Sequence, residues 1–166
     1  RLGLLMDMGR HLRDYYERAE ARGEPLEITI SNGMHPAYFV AATTPSSAAP
    51  IDVDELAVAS YLLGEPARLS KSLTVDVEGL ADAEMVMEAE ILPHVREPEG
   101  PFGEVSGYYA TRADRWVVKV KTITMRKNPI FSTLHPGKEV WNGQGLGIEA
   151  NLFRTISRQV KGLKNV

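Results

Sequence analysis

The stretch RWVVKVKTITMR, residues 115–126, decides the fold class. Apolar and β-branched side chains alternate with polar ones along it, which is typical of a strand with one buried face. Two earlier stretches, RLSKSLTVDVE (68–78) and AEMVMEAEIL (83–92), show the same period of two, and no helical pattern separates the three. Strands that follow one another without helices favour antiparallel pairing. The sequence therefore predicts an α+β fold, with an antiparallel sheet or small barrel flanked by helices.

Helical patterns flank these strands. The clearest is DVDELAVASYLLG (52–64), which has acids in its first turn, an apolar middle and Gly64 as a C-terminal stop. Apolar spacings of three and four predict another helix over 2–22. The other predicted elements are a strand over 26–31, one or two helical turns over 35–45, a short strand over 129–133, and a glycine-rich turn leading into an amphipathic helix over 142–160.

Composition excludes several classes of protein. The 166 residues are 43% hydrophobic and 25% charged, as expected of a folded chain. The net charge of −3 argues against a nucleic-acid-binding protein, and no apolar run approaches the roughly 20 residues that span a bilayer. The absence of cysteine excludes disulfides and thiolate metal sites and fits a cytoplasmic protein. Because the chain opens on Arg1 and closes on KGLKNV, we expect residues 1–166 to be a single piece of a longer protein, truncated at both ends.

Two glutamates flank a constrained loop in PEGPFGE (98–104). Of two close carboxylates, one can hold a proton near neutral pH while the other stays charged, which suits acid/base chemistry. The proline and glycine residues around Glu99 and Glu104 would fix where both groups point. The alternative is a solvated surface loop, and the residue types alone leave both interpretations open.

Three further motifs have both a functional and a structural explanation. Asp52, Asp54 and Glu55 could bind a hard cation through their oxygens, or they could only cap the helix that they begin. The GQGLG run (143–147) could cradle a phosphate or form a simple turn. The basic residues between 119 and 127 fit an exposed strand face without any ligand. The four histidines show no metal-ligand spacing.

Several of these stretches together resemble the UbiD family of decarboxylases. The resemblance covers essentially the whole chain, and its most specific part is the E-G-P-[FY]-G-[ED]-x-x-G-Y pattern. It implies a split β-barrel of the flavin-binding type with flanking helices, and it implies prenylated FMN as cofactor. The motifs that carry it are PEGPFGEVSGYY (98–109), ITMRKNPIF (123–131), and AATTP (41–45) followed by the run from DELAVAS to AEMVMEAEIL (54–92).

The resemblance also implies catalytic and metal-binding roles. Glu104 matches the acid that delivers a proton to the carbon left behind by CO2, and Glu99 matches its partner acid, which pairs with an arginine. Glu55 matches a ligand of the divalent metal, usually Mn2+, at the cofactor phosphate. The backbone around Ala41, Ala42 and Thr44 matches a potassium site.

Five positions match residues around the cofactor and the substrate. Thr44 and Pro45 would lie against the cofactor. Val105 would touch the substrate, and Leu146 and Asn142 would line the same pocket. The arginine that pairs with Glu99, and the Asn and His metal ligands, match family segments upstream of this chain.

The function expected from the resemblance is the non-oxidative, reversible decarboxylation of an aromatic or α,β-unsaturated carboxylic acid. It implies a flavin prenyltransferase as supplier of the cofactor, a homo-oligomer when full length, and no activity of the 166-residue piece alone. The alternative is a split-barrel module that binds a flavin or other ligand, or an assembly subunit, without lyase chemistry. Glu104 separates the two, because only the enzyme needs an acid there.

Overall fold

The computed structural model describes residues 2–6, 8, 10–44, 53–104, 106–135 and 137–165. The chain divides into two compact units, each assembled from segments that are distant in sequence. The first unit comprises Arg1–Met34, Arg68–Phe102 and Tyr109–Thr133, and the second comprises His35–Ala67, Gly103–Tyr108 and Leu134–Val166.

The strands described for the chain all lie in the first unit: β1 (Leu2–Leu4), β2 (Leu26–Asn32), β3 (Leu69–Lys71), β4 (Glu78–Leu80), β5 (Met85–Glu99) and β6 (Ala113–Met125). Four of them form an antiparallel sheet in the order β1–β6–β5–β2. The other two, β3 and β4, pair as a separate antiparallel hairpin. The predicted α+β class with an antiparallel sheet is confirmed.

The longest strand, β5, continues past the point where the sequence pattern predicts its end. Pairing with β6 breaks between Ile91 and Arg96 and then resumes. The pattern predicts an end at residue 92, and the next residue, Pro93, cannot donate a ladder hydrogen bond. A bulge lets the chain pass this proline, so that pairing continues as far as Glu99.

The core of the first unit lies between the sheet and helix α1 (His11–Ala21). The side chain of Tyr16 is completely buried at the centre of this core. Burial of each large apolar side chain contributes about 1.5–3 kcal/mol. The buried residues that cluster with Tyr16 are Met6, Ala89, Ile91 and Val118.

The N-terminal helix predicted over 2–22 is wrong at its beginning. Leu2–Leu4 forms β1, whose residues pair with positions 116–118 of β6, and α1 begins only at His11. The apolar spacing at the start of the chain is compatible with a helix and with a short strand. The strand is formed because β6, which is distant in sequence, provides a pairing partner.

The single strand predicted over 68–78 is two short strands, β3 and β4. Leu73 and Thr74 lie in the turn between these two strands. The carboxylate of Glu88, in β5, accepts hydrogen bonds from the N–H groups of Leu73 (2.8 Å) and Thr74 (2.6 Å), and from the Thr74 hydroxyl (2.6 Å). Backbone donors that bind a side chain are not available for a ladder, and the chain turns at this point.

The short strand predicted over 129–133 is also wrong, since this described stretch contains no strand. Its backbone forms hydrogen bonds with side chains instead of with a neighbouring strand. The Ile130 N–H donates to Glu84 at 3.2 Å, and the Asn32 side-chain amide exchanges two hydrogen bonds with the backbone of Ser132, at 2.7 and 3.0 Å. The segment is therefore held on the sheet without pairing.

The second unit, as far as it is described, is helical: α2 (Pro36–Ala42), α3 (Glu55–Leu63) and α4 (Lys138–Ile156). The first two confirm the predictions, with Pro36 in the first turn of α2 and Gly64, at φ 77°, ending α3. α2 contacts both other helices. Among the described residues, no helix is long and apolar enough to cross a membrane.

The glycine-rich turn predicted at 143–147 is wrong, because α4 begins at Lys138 and includes it. Each glycine inside a helix costs about 1 kcal/mol relative to alanine, so propensity favours a turn here. Packing of α4 against α2 overrides that local preference.

Candidate active site

The chain turns sharply where β5 ends, so Glu99 is the last residue of a strand. Gly100 follows with a φ of 89°, in the left-handed region that favours glycine, and its peptide bond to Pro101 is cis. A 2.8 Å hydrogen bond from the Ala110 N–H to the Phe102 carbonyl closes this turn. The turn therefore begins one residue after the first glutamate of the PEGPFGE motif.

The backbone of Glu104 is held within a tight turn of the second unit. Its N–H donates to the Tyr108 carbonyl at 2.8 Å, and its carbonyl accepts from the Gly107 N–H at 2.9 Å. The Glu104 side chain is half-buried, and Val105 lies outside the described residues. Although five positions separate the two glutamates, Glu99 belongs to the first unit and Glu104 to the second.

The half-buried side chain of Glu99 faces a small cavity of the first unit. The cavity has a volume of about 190 Å³. Glu97 lies directly opposite Arg115 across β5 and β6, so the cavity wall carries charges of both signs. The residues that line it are Gly3, Glu97, Pro98, Glu99, Arg115, Trp116 and Val117.

Glu55 lies in the first turn of α3, half-buried. Asp54 is the N-cap of this helix, and its carboxylate accepts a 2.8 Å hydrogen bond from the Leu56 N–H. Asp54 therefore caps the helix, which is the structural explanation considered for the acidic residues at its start. Asp52 lies outside the described residues.

The segment expected to bind potassium is the C-terminal end of α2. Thr43 and Thr44 both donate their hydroxyls to the Val40 carbonyl, at 3.0 and 3.2 Å, and the Thr44 N–H donates to the Ala41 carbonyl at 3.0 Å. Ala42 is the last helical residue. Carbonyl groups at a helix C-terminus carry partial negative charge, which suits a cation. Pro45, the expected cofactor contact, lies outside the described residues.

The two expected substrate contacts near the C-terminus, Asn142 and Leu146, both lie within α4. Their backbone is helical, and no turn separates them. Both belong to the second unit, as do Glu55 and Glu104.

Glu55 alone would supply only part of a metal site. In the described ranges, no three His, Asp or Glu side chains converge so as to hold a metal ion. Carboxylate oxygen is nevertheless a ligand that suits Mn2+. A metal bound through Glu55 would need its other ligands from elsewhere in the protein.

A polar network with little signal in the sequence joins α1 to β5. Arg96 donates to the Tyr16 hydroxyl at 2.9 Å and to Glu20 at 3.1 Å, and its guanidinium stacks 4.9 Å from the Trp116 ring centre. Burial raises the pKa of Tyr16, and its hydrogen bond to Glu20 adds to this effect. Burial also opposes the charge on Glu20, but hydrogen bonds from Tyr16, the His94 N–H and Arg96 outweigh it and lower the pKa of Glu20.

This network fixes β5 three residues before Glu99. Tyr16 and Glu20 lie one helical turn apart, which was the only signal in the sequence. Nothing in the sequence indicated Arg96 as the third member, because strand positions give no sign of which helix they will contact.

The described residues define an α+β protein whose antiparallel sheet ends in a constrained turn with a glutamate on each side. The family model for the UbiD 3-octaprenyl-4-hydroxybenzoate carboxy-lyase Rift-related domain matches residues 1–139. The chain therefore belongs to the UbiD family.

Two curated relatives of the chain are decarboxylases by name. Phenolic acid decarboxylase of Bacillus subtilis is 40% identical over 155 residues, which are 93% of this chain and 31% of the relative. Anhydromevalonate phosphate decarboxylase of Methanothermobacter thermautotrophicus is 37% identical over 158 residues, 95% of this chain and 36% of the relative. The chain thus spans about a third of the length of these relatives.

A solved structure has the same fold over nearly the whole chain. The UbiD-class enzyme HmfF from Pelotomaculum thermopropionicum, in complex with FMN, is 43% identical with a TM-score of 0.91, covering 99% of this chain and 36% of that one. An evolved dimeric form of HmfF was solved in complex with prFMN.

Proposed function

We propose that the protein containing this sequence is a prenylated-FMN-dependent decarboxylase of an aromatic or α,β-unsaturated carboxylic acid, acting non-oxidatively and reversibly. The observation that carries the proposal is the match over 99% of the chain to an enzyme that binds FMN. Two relatives named as decarboxylases support the reaction type. In this proposal the antiparallel sheet is the wall of a split β-barrel, and residues 1–166 are one cofactor-binding piece of the full-length enzyme.

Glu104 is the proposed proton donor. When bound, prenylated FMN supplies the electron sink for the pair left on the substrate carbon as CO2 departs. Glu104 delivers a proton to that carbon, and its backbone is fixed at both its N–H and its carbonyl by the turn to Tyr108. Proton transfer from a positioned acid typically contributes about 10²–10⁴-fold in rate.

Glu99 is the proposed second carboxylate. It pairs with an arginine from another part of the protein and so orients the charged network of the proposed active site. Its place at the end of a paired strand, followed by Gly100 and Pro101, limits the directions that the chain can take.

The cofactor phosphate would be held through metals. Glu55 would offer a carboxylate to Mn2+, and the carbonyl groups around Ala41, Ala42 and Thr44 would offer oxygen ligands to K+. Thr44 and Pro45 would contact the cofactor. The substrate pocket takes its contacts from Val105, Asn142 and Leu146. A flavin prenyltransferase supplies the cofactor, and the full-length enzyme is a homo-oligomer.

The test is the Glu104→Gln variant of the full-length protein, produced with a flavin prenyltransferase. We expect decarboxylation to fall by about 10²–10⁴-fold while cofactor absorbance and Mn2+ content stay unchanged. Glu65→Gln is the matched control, because Glu65 is exposed at the end of α3 and has no proposed role.

Two results would contradict the proposal. Unchanged turnover in Glu104→Gln would remove Glu104 as the proton donor. A colourless, metal-free full-length protein would instead favour a binding module or assembly subunit without lyase chemistry.

A further inference from the structure

Gly3 is the central residue of β1, and its backbone conformation does not explain why it is glycine. It pairs with Val117 in a regular antiparallel ladder. Its φ is not in the left-handed region where glycine is favoured. Any residue could adopt this backbone, so a reason for glycine at this position has to be sought in the space around it.

The carboxylate of Glu99 fills that space. A Cβ built on Gly3 would lie well inside 3.0 Å, a separation that real Cβ atoms essentially never show, from both carboxylate oxygens and from Cδ of Glu99. Glu99 pairs with Ala113 of β6, and Gly3 pairs with Val117 of the same strand. These two β6 positions are four residues apart, an even spacing, so their side chains lie on the same face of the sheet. Both residues therefore belong to one face of the sheet, and the carboxylate rests against the bare backbone of β1.

A side chain at position 3 would displace this carboxylate and leave the strand in place. The colliding atoms are the far end of a flexible side chain, which can rotate away. The cavity of about 190 Å³ beside Glu99 gives it room to do so. The ladder between β1 and β6 uses backbone groups only, so alanine at position 3 preserves it.

We propose that Gly3 is a positioning residue for the Glu99 carboxylate. Its missing side chain lets the carboxylate lie against β1 and so sets the direction from which that charge acts on the site. The inference rests on the proposed function, in which Glu99 is the second carboxylate.

The experiment compares Gly3→Ala, Glu99→Gln and the double variant in the full-length enzyme loaded with prenylated FMN and Mn2+. We expect Gly3→Ala to lower kcat by up to about 10²-fold, the loss that a misplacement of about 1 Å can cause, and never by more than Glu99→Gln. In the Glu99→Gln background, Gly3→Ala should cause no further loss, because it acts only through the carboxylate.

Leu2→Ala is the matched control, since it alters the same strand at a partly exposed position on the opposite face of the sheet. It should leave kcat unchanged while lowering the Tm at least as much as Gly3→Ala does. The proposal would be overturned if Gly3→Ala lowered kcat in the Glu99→Gln background by the same factor as in the unchanged enzyme. It would also be overturned if Leu2→Ala lowered kcat as much as Gly3→Ala does.

A crystal structure of the Gly3→Ala variant separates failure of this inference from failure of the proposed function. A displaced Glu99 carboxylate on unmoved strands supports the positioning role, even if Glu99→Gln proves fully active and removes Glu99 from the mechanism. A carboxylate that stays in place overturns the positioning role, whatever the kinetics show.

Discussion

At the scale of single residues, Glu88 is the carboxylate whose energetics are clearest. It is 2% exposed, and it holds the turn between β3 and β4 through three hydrogen bonds from Leu73 and Thr74. The hydrogen bond from the Thr74 hydroxyl, followed by that from the Leu73 N–H, lowers the pKa of Glu88 although burial opposes the shift. The charged form is therefore the one that stabilises this turn.

We expect Glu88→Gln to expose the turn at neutral pH. The glutamine amide has one acceptor oxygen in place of the two carboxylate oxygens that bind these two backbone N–H groups, so amide hydrogen exchange at Leu73 and Thr74 should accelerate roughly tenfold or more. Because the pKa of Glu88 is lowered by folding, its stabilisation is complete above the ordinary glutamate value of 4.5 and is lost as the pH falls through the lowered value. The difference between the two proteins should therefore shrink in acid.

Glu78→Gln is the matched control for this measurement. Glu78 begins β4 in the same hairpin but is exposed, so the same change of charge should leave exchange at Leu73 and Thr74 unaltered. Equal acceleration in both variants, or a difference that persists in acid, would show that the buried carboxylate does not hold the turn.

Which residues could be predicted from the sequence depended on how local their signal was. Glu99 and Glu104 stood out because proline and glycine surround them, and this signal lies within seven positions of the chain. Gly3 carried no such signal, since the carboxylate that explains it belongs to a strand distant in sequence. A lone glycine in an apolar stretch has too many explanations to indicate a contact.

At the scale of elements, the N-cap of α3, Asp54, directly precedes Glu55. We expect Asp54→Ala to destabilise the first turn by about 1 kcal/mol, because the hydrogen bond from the Leu56 N–H is lost. Glu55 lies in that turn, so Mn2+ affinity of the full-length protein, measured by titration calorimetry, should weaken.

Asp54→Asn separates the cap from the charge, because asparagine keeps an acceptor oxygen and caps about as well. It should retain the Mn2+ affinity that Asp54→Ala loses. Equal weakening in both variants would mean that the Asp54 charge, and not the start of the helix, matters for the metal.

Elements whose capping residues or apolar periodicity lie within their own sequence could be predicted. Elements that depend on contacts with distant parts of the chain could not. β6 follows from strict alternation, and α3 from an acidic start and a terminal glycine. β1 and the start of α4 were predicted wrongly because pairing to β6 and packing on α2 override their local patterns. The extension of β5 was missed because proline normally ends a ladder, and only the bulge allows it to continue.

At the scale of the whole molecule, the two compact units are interleaved along the chain. The second unit takes segments from three places, and one of them is the short piece Gly103–Tyr108. The boundary falls inside the PEGPFGE motif, so its two glutamates are carried by different units. Composition does not change at this boundary, and for that reason the sequence suggested a single rigid loop.

The proposed function leads to a prediction for the chain as a whole. We expect residues 1–166, supplied with prenylated FMN and Mn2+, to release no CO2 from aromatic or acrylic acids, whereas the full-length protein does. Among the described residues no three His, Asp or Glu side chains can hold a metal, and the chain spans about a third of its relatives' length. Circular dichroism must show that the chain is folded. CO2 release by the folded chain alone would mean that residues 1–166 contain a complete site. It would contradict the proposal that the arginine and the other metal ligands come from other parts of the protein.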